Sequence, residues 1–490
     1  MYPDLKPGKH LVLDNTNIAD TYRLRRRVHQ PVRDPQEPVL RPEKPSDGTS
    51  VTPLHVVFDK ERKMWRMWYQ AHDPKLQEER VKLGKSKYGN VGEPQPIYCC
   101  YSESPDGIHW NRPNLGIYGD TNVVFKGFSY VAGNTFILPG TIGSPRRKER
   151  DPTGPNVIPP PHVGGYSDQY IMVNCEWVSD MKGGIYIAHS PDGLRWKYPN
   201  DEPHVFGESD TWNCMVWNPE RQVFMLYMRG WHCAAVNWPA LGKGNPRRRV
   251  NYSESKDLKM WTEPQQIVTP DELDTNDYYG LQVFRYADYW LGQLWIYDDD
   301  VEETIEIELI WSREGIQWSR LPERQKFLRR GRPGDQDGYM VIPAQEPVVV
   351  GNEMFVYYTG HPQPHGAADA NVSSTGYRGR LRRDGFISLD AGLPHGALIS
   401  RPFTLQSDRI EINAAAHHGE IVAELVEPYY HEPEGKPIEG FTAKDFDVFK
   451  GDSLAHKLSW RGTSDLSSLK GRRVMLRMLL QRAELYSFTI

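Results

Sequence analysis

An all-β fold, a five-bladed β-propeller followed by a C-terminal β-sandwich, is what the sequence predicts, on three observations. The first is a recurring turn. Ser104-Pro105-Asp106-Gly107-Ile108-His109-Trp110 returns as Ser190-Pro191-Asp192-Gly193-Leu194-Arg195-Trp196, then degenerately as Ser255 to Trp261 and Ser312 to Trp318, and as Arg382-Arg383-Asp384-Gly385-Phe386. The acidic turn residues 106, 192, 257, 314 and 384 lie 86, 65, 57 and 70 residues apart, the scale of a propeller blade with long loops. The second is an aromatic, β-branched run upstream of each turn, which reads as paired strands. The third is composition: 42 Gly and 39 Pro in 490 residues favour many turns over long helices.

Taken in order, the first blade reads Val56-Val57-Phe58 and Trp65 to Tyr69, separated by the polar turn Asp59 to Lys63. Tyr170 to Val173 belongs to the second blade and Phe224 to Tyr227, after the turn Asn218 to Arg221, to the third. Tyr289 to Trp295 marks the fourth, and Met354 to Tyr358, after the turn Val350 to Glu353, the fifth. Asp-Gly would supply the positive φ of a tight hairpin in each outer turn. Four strands per unit match a blade, and ring closure disposes of exposed edges. The expected boundaries are 1–30, a segment lending a strand to close the ring; 31–395, the propeller; and 396–490, the sandwich. Strands without the repeat follow at 402–405, 410–413, 420–425, 457–460 and 474–480.

Charge and motifs exclude several functions. With 59 basic and 64 acidic residues the net charge is −5, so no global field favours nucleic acid or an anionic membrane. No apolar run approaches a spanning helix, and the first residues lack the basic and apolar regions of a signal peptide, so a cytoplasmic protein is expected. Five Cys (99, 100, 175, 214 and 233) without CxxC spacing read as free thiols. Neither a phosphate-binding glycine loop nor a zinc motif is present.

The tail carries a resemblance. Thr404 to Asn413, Val422 to Leu425, Pro437 to Phe441, Leu458-Ser459-Trp460, Gly471 to Val474 and Ala483 to Phe488 resemble the sandwich of family 32 glycoside hydrolases. The propeller is similar to families 32, 68, 43 and 62. The resemblance implies a glycosidase acting on a small carbohydrate or oligosaccharide. It also implies that Asp151, in Arg150-Asp151-Pro152, stabilises developing charge by holding sugar hydroxyls. The family's Asn-Asp-Pro-Asn-Gly and Glu-Cys motifs are absent, and Cys175-Glu176 has the reversed order.

Glycoside hydrolysis needs a carboxylic acid to protonate the leaving oxygen and a carboxylate on the opposite face. In a propeller both belong at the starts of inner strands. Asp47, in Pro45-Ser46-Asp47-Gly48, is the candidate nucleophile or base, with a surface turn as the plain alternative. Asp210, in Gly207-Glu208-Ser209-Asp210-Thr211-Trp212-Asn213, is the candidate acid, with Glu208 in reserve and Trp212 and Asn213 as sugar contacts. Asp277 and Asp337 would complete a ring of acids whose repulsion raises some pKa values. Arg229 would offset that charge, Arg229 and Trp231 would contact substrate, and His361 and His365 sit in a loop within reach. No cofactor is required, although a carboxylate-lined axis suits Ca²⁺. The expected activity is exo-hydrolysis of a terminal, furanosidic sugar. The alternatives are a non-catalytic carbohydrate-binding propeller and a phosphorylase or transglycosylase with a basic cluster at the funnel mouth.

Overall fold

The computed structural model describes residues 4–34, 38–59, 62–84, 96–127, 132–137, 170–176, 183–199, 202–207, 209, 212–232, 247–274, 277–299, 301–367, 373–428 and 435–490. Five antiparallel blades form the ring. The first is Ser50–Asp59, Met64–His72, Ile97–Ser104 and Val123–Phe125; the second Ala132–Ile137, Tyr170–Glu176, Gly184–Ser190 and Val205–Phe206. The third is Cys214–Asn218, Val223–His232, Arg247–Ser255 and Gln265–Val268; the fourth Asp277–Tyr286, Tyr289–Asp298, Thr304–Ser312 and Lys326–Leu328. The fifth runs Met340–Pro343, Glu353–His361, Thr375–Arg382 and then Val32–Arg33, a strand from the other end of the chain. This last pairing closes the ring, and the inner strand of the first blade packs against the fifth.

The recurring turn follows the third strand of each blade, and its job is to fasten one blade to the next. Ser104 Oγ accepts from Gly107 N, while Asp106 Oδ1 accepts from Ile108 N and His109 N; Ser190 and Asp192 repeat the pattern. Only the glycine has positive φ (74° at Gly107, 75° at Gly193), so the turn is a side-chain-held loop and not the two-residue hairpin expected. In the first, second and fourth copies the turn carbonyl accepts from an aromatic donor on the second strand of the preceding blade. Tyr357 Oη donates to Gly107 O (2.8 Å), Trp68 Nε1 to Gly193 O (2.7 Å) and Tyr227 Oη to Gly315 O (2.7 Å). The Ser-to-Gly spacing therefore sets inter-blade distance as well as local chain direction.

Eleven strands make the second unit. The order Ile18–Tyr22, Gly396–Ser400, Arg473–Gln481, Glu411–Glu427, Ala483–Thr489, Ile387–Ala391, Leu24–Val28 shows that residues 1–30 join the sandwich, and that Val32–Arg33 closes the ring in their place. The sandwich also takes in Ile387–Ala391, ahead of the boundary expected at 396. The two strands expected at 410–413 and 420–425 are one, Glu411–Glu427, whose register shifts between Ala416 and Ile421 let it serve both layers. Trp460, fully buried, packs edge-on against Phe441 and Phe446 at the core of this unit.

Candidate functional site

Antiparallel register places the start of each inner strand beside the end of its second strand, so these ends gather at one mouth. Ser50 lies opposite His72, Asp277 opposite Tyr297 and Met340 opposite His361. The carboxylates expected there do not share a cavity. Asp47 is wholly buried in a short 3₁₀ turn, where Oδ2 accepts from Glu43 N (3.0 Å) and Lys44 N (2.8 Å) and Oδ1 from Tyr69 Oη (2.6 Å). Arg112 Nη1 stands 3.4 Å away. With every oxygen engaged and no exposed surface, Asp47 is a structural carboxylate and not a nucleophile. Asp277, also wholly buried, is held by Arg247 Nη1 (3.3 Å) and by the backbone N–H of Arg248. Asp337 pairs with Arg33 (2.9 Å) in a side pocket with Tyr358 and Tyr377; its carboxyl is raised chiefly by burial, not by a ring of acids. These are three separate ion-pair sites. Among the described residues no cluster of three or more His, Cys, Asp or Glu could hold a metal.

Asp151, Glu208 and Asp210 lie outside the described residues. The inner strand of the second blade is Ala132–Ile137, so position 151 follows that strand in the chain and does not stand at its start, where the sequence reading places the site acids. Ser209 and Trp212, which bracket Asp210 in the chain, are both anchored at the mouth. Ser209 Oγ donates to Asn213 Oδ1 (2.5 Å) and accepts from Arg229 N (3.2 Å). Trp212 has φ +66°, a conformation that costs a bulky side chain about 1 kcal/mol or more and often marks a working site. Its ring is buried against Trp295 (4.9 Å), so Trp212 supports the wall and is not the sugar platform expected; Asn213 is likewise buried.

What the mouth does present is a set of arginines stacked on rings. Arg229 Nη2 donates to Tyr279 O (2.9 Å), and its guanidinium lies 4.6 Å from the centre of the Tyr279 ring and 5.4 Å from that of Trp231. Arg248 covers Tyr297 (4.9 Å), Tyr279 (5.6 Å) and Trp231 (5.7 Å), and ion-pairs with Asp299 (3.4 Å). Trp231 is 41% exposed. Tyr279 lies parallel to Trp295, and its hydroxyl meets His365 Nε2 (2.8 Å). His361 is pushed down to about 4 by burial, with His365 and His72 adding to the effect, and stays neutral at physiological pH. Of the residues the sequence singled out, Arg229, Trp231, His361 and His365 lie at this mouth; Arg248, Tyr279 and Tyr297, which share it, were not among them. The signal for Arg248 was the run Arg247-Arg248-Arg249.

Below the mouth the blades are laced together. His55 Nδ1 meets Gln345 Oε1 (2.8 Å), and Gln293 Nε2 donates to Ala344 O (3.1 Å) and Gln345 O (3.3 Å), joining blades one, four and five. Glu346 follows the inner strand of the fifth blade, and its charge acts on Cys214 of the third. Glu346 stands next to Gln345, six residues beyond the mouth end of that strand at Met340. Burial raises its carboxyl to about 7. No sequence signal marked it.

Comparison with known proteins follows the architecture. No family model matches the chain, and no curated protein does. Among solved structures, a fructofuranosidase from Schwanniomyces occidentalis complexed with fructosylnystose is 11% identical, covers 92% of this chain and 96% of its own, and superposes with a TM-score of 0.44. A Bombyx mori GH32 β-fructofuranosidase is 10% identical over 94% of this chain and 95% of its own, TM-score 0.43. An N-acetylgalactosamine deacetylase from F. plautii in complex with blood group B trisaccharide is 13% identical over 73% of this chain and 96% of its own, TM-score 0.45.

Proposed function

We propose that the chain is an exo-acting glycoside hydrolase that removes a terminal, furanosidic sugar at the propeller mouth. The observation that carries this reading is the mouth itself: an exposed Trp231 ring beside Arg229, Arg248, Tyr279 and His365. Sugars bind where a ring face offers a platform and fixed donors surround it. The lacing of His55, Gln293 and Gln345 beneath it favours a closed floor and hence a pocket for chain ends. Asp210 is the proton donor, bracketed by the anchored Ser209 and Trp212. Glu346, next to Gln345 in that floor and with its carboxyl raised to about 7 by burial, is the residue we assign to the second carboxylate place that Asp47 was expected to fill. Against a panel of aryl glycosides and oligosaccharides, Asp210→Asn and Glu346→Gln should each abolish turnover of whichever glycoside the native chain cleaves. Undiminished turnover by either variant removes that residue from the mechanism, and binding without cleavage by the native chain replaces the enzyme with a carbohydrate-binding propeller.

A second reading has its own observation. Arg229 and Arg248 form the basic cluster that a phosphorylase needs at the mouth, and the Nε of Arg248 is buried without a hydrogen-bond partner. Turnover that requires inorganic phosphate and falls in Arg248→Gln would select phosphorolysis over hydrolysis.

A further inference from the structure

The face of the ring opposite the mouth is roofed by the sandwich, and between them lies a cavity of about 1040 Å³. That is at the upper end of the range for small-molecule sites. Its floor comes from the hairpins at Asn218, Ala287 and Asn352 and from the fourth and fifth recurring turns, and its roof from 4–10, 401–413 and the last strand of the chain. Eight of the lining side chains are Lys or Arg and five are Asp or Glu, an excess of three positive charges in a chain whose net charge is −5. No Trp, Tyr or Phe lines it.

Most of these cations are spoken for. Lys9 pairs with Asp384 (2.8 Å), Arg285 with Glu220 (2.9 Å), and Arg313 lies over Tyr289 beside Asp288. The side chains of Arg383 and Lys6 make no hydrogen bond or ion pair with any described residue. On the same wall, the buried Arg313 Nε lacks a hydrogen-bond partner, and His10 Nδ1 stands 3.7 Å from Asp288. Arg383 holds the turn position that is Pro105 and Pro191 in the first two copies, Lys256 in the third and Arg313 in the fourth.

Unpaired cations and donors in a long cavity without a ring platform suit an anion-bearing chain and not a neutral sugar. We propose that this cleft binds an acidic oligosaccharide, one carrying carboxylate or sulfate groups, through Arg383 and Lys6. That the anions ride on a saccharide rests on the glycosidase reading; the site itself does not.

The test is calorimetric titration of the full chain with oligogalacturonate, a sulfated glycosaminoglycan fragment, a neutral fructan oligomer and inorganic sulfate. At least one acidic oligosaccharide should bind with an affinity that falls as salt rises. Arg383→Gln and Lys6→Gln should each weaken it about tenfold, the scale of one charge-assisted hydrogen bond, with melting temperature unchanged. Trp231→Ala, at the mouth, should leave this binding intact. Preference for the uronate or the sulfated probe identifies the anionic group and supports the site in either case. Equal binding of the neutral oligomer, sulfate binding as tightly as the oligosaccharides, no binding of either acidic probe, or acidic binding unchanged in the Arg383→Gln, Lys6→Gln double variant overturns the proposal. Acidic binding lost in Trp231→Ala but kept in Arg383→Gln overturns it while leaving the mouth reading standing.

Discussion

The arginines of the mouth and Arg383 on the roofed face are held in opposite ways, although Arg285 and Arg313 on that face also stack on rings. At the mouth, Arg229 and Arg248 lie flat on Trp231, Tyr279 and Tyr297, held by rings and by Asp299. On the roofed face, Arg383 and Lys6 meet neither ring nor carboxylate. A stacked guanidinium keeps its edge N–H groups for hydroxyls or a phosphate while the neighbouring ring supplies apolar surface. An unstacked one offers little but charge. Residue type alone therefore does not announce ligand class; what the side chain rests on does.

The sharpest way to break this comparison is to show that the mouth is not built as described. Asp47→Ala should cost about 3 kcal/mol, because it leaves the Tyr69 hydroxyl and two backbone donors without their acceptor in a buried place, while Arg112 keeps Glu43. Denaturant unfolding checks this, and a stable but inactive variant would return Asp47 to catalysis. Next comes the fastening of the blades on the roofed side. Gly193→Ala puts a Cβ 2.9 Å from Trp68 at φ +75° and should destabilise by about 2 kcal/mol, with a lowered melting temperature.

Acidity separates two groups at the ring's centre. Burial holds His55 at about 4 in the fold against 6.5 in the unfolded chain, so between those values only the unfolded chain takes the proton. Stability should fall by up to about 3 kcal/mol as pH drops from 6.5 to 4, and His55→Gln should flatten that slope in pH-dependent unfolding. Glu346 has the opposite sign: its raised carboxyl binds a proton that the unfolded chain releases above about 4.5. Stability is lost as pH rises toward 7, and Glu346→Gln should stabilise the chain by about 2 kcal/mol at pH 8 while changing little at pH 4. The smallest stability effect belongs to Trp231→Ala, within about 0.5 kcal/mol for an exposed ring. Its KM should nonetheless rise about tenfold, which initial-rate kinetics would read.

Much of the architecture was legible in the sequence. Ser, Asp and Gly at fixed offsets dictate a local loop whatever surrounds it, so five copies counted five blades, and Asn218 to Arg221 and Val350 to Glu353 marked their inner hairpins. Arg229, Trp231, His361 and His365 were found because they end strands or follow them closely. Tertiary structure alone decided that Asp47 is walled in by Tyr69 and Arg112, that Trp212 faces Trp295 and not solvent, and that burial raises the Glu346 carboxyl. It also decided that residues 1–30 pair with the sandwich while Val32–Arg33 closes the ring, since pairing of distant strands depends on the whole chain's closure. Turns are written in neighbours a few residues apart, whereas burial and charge pairing are set by contacts across hundreds of residues, and only the folded ring brings those together.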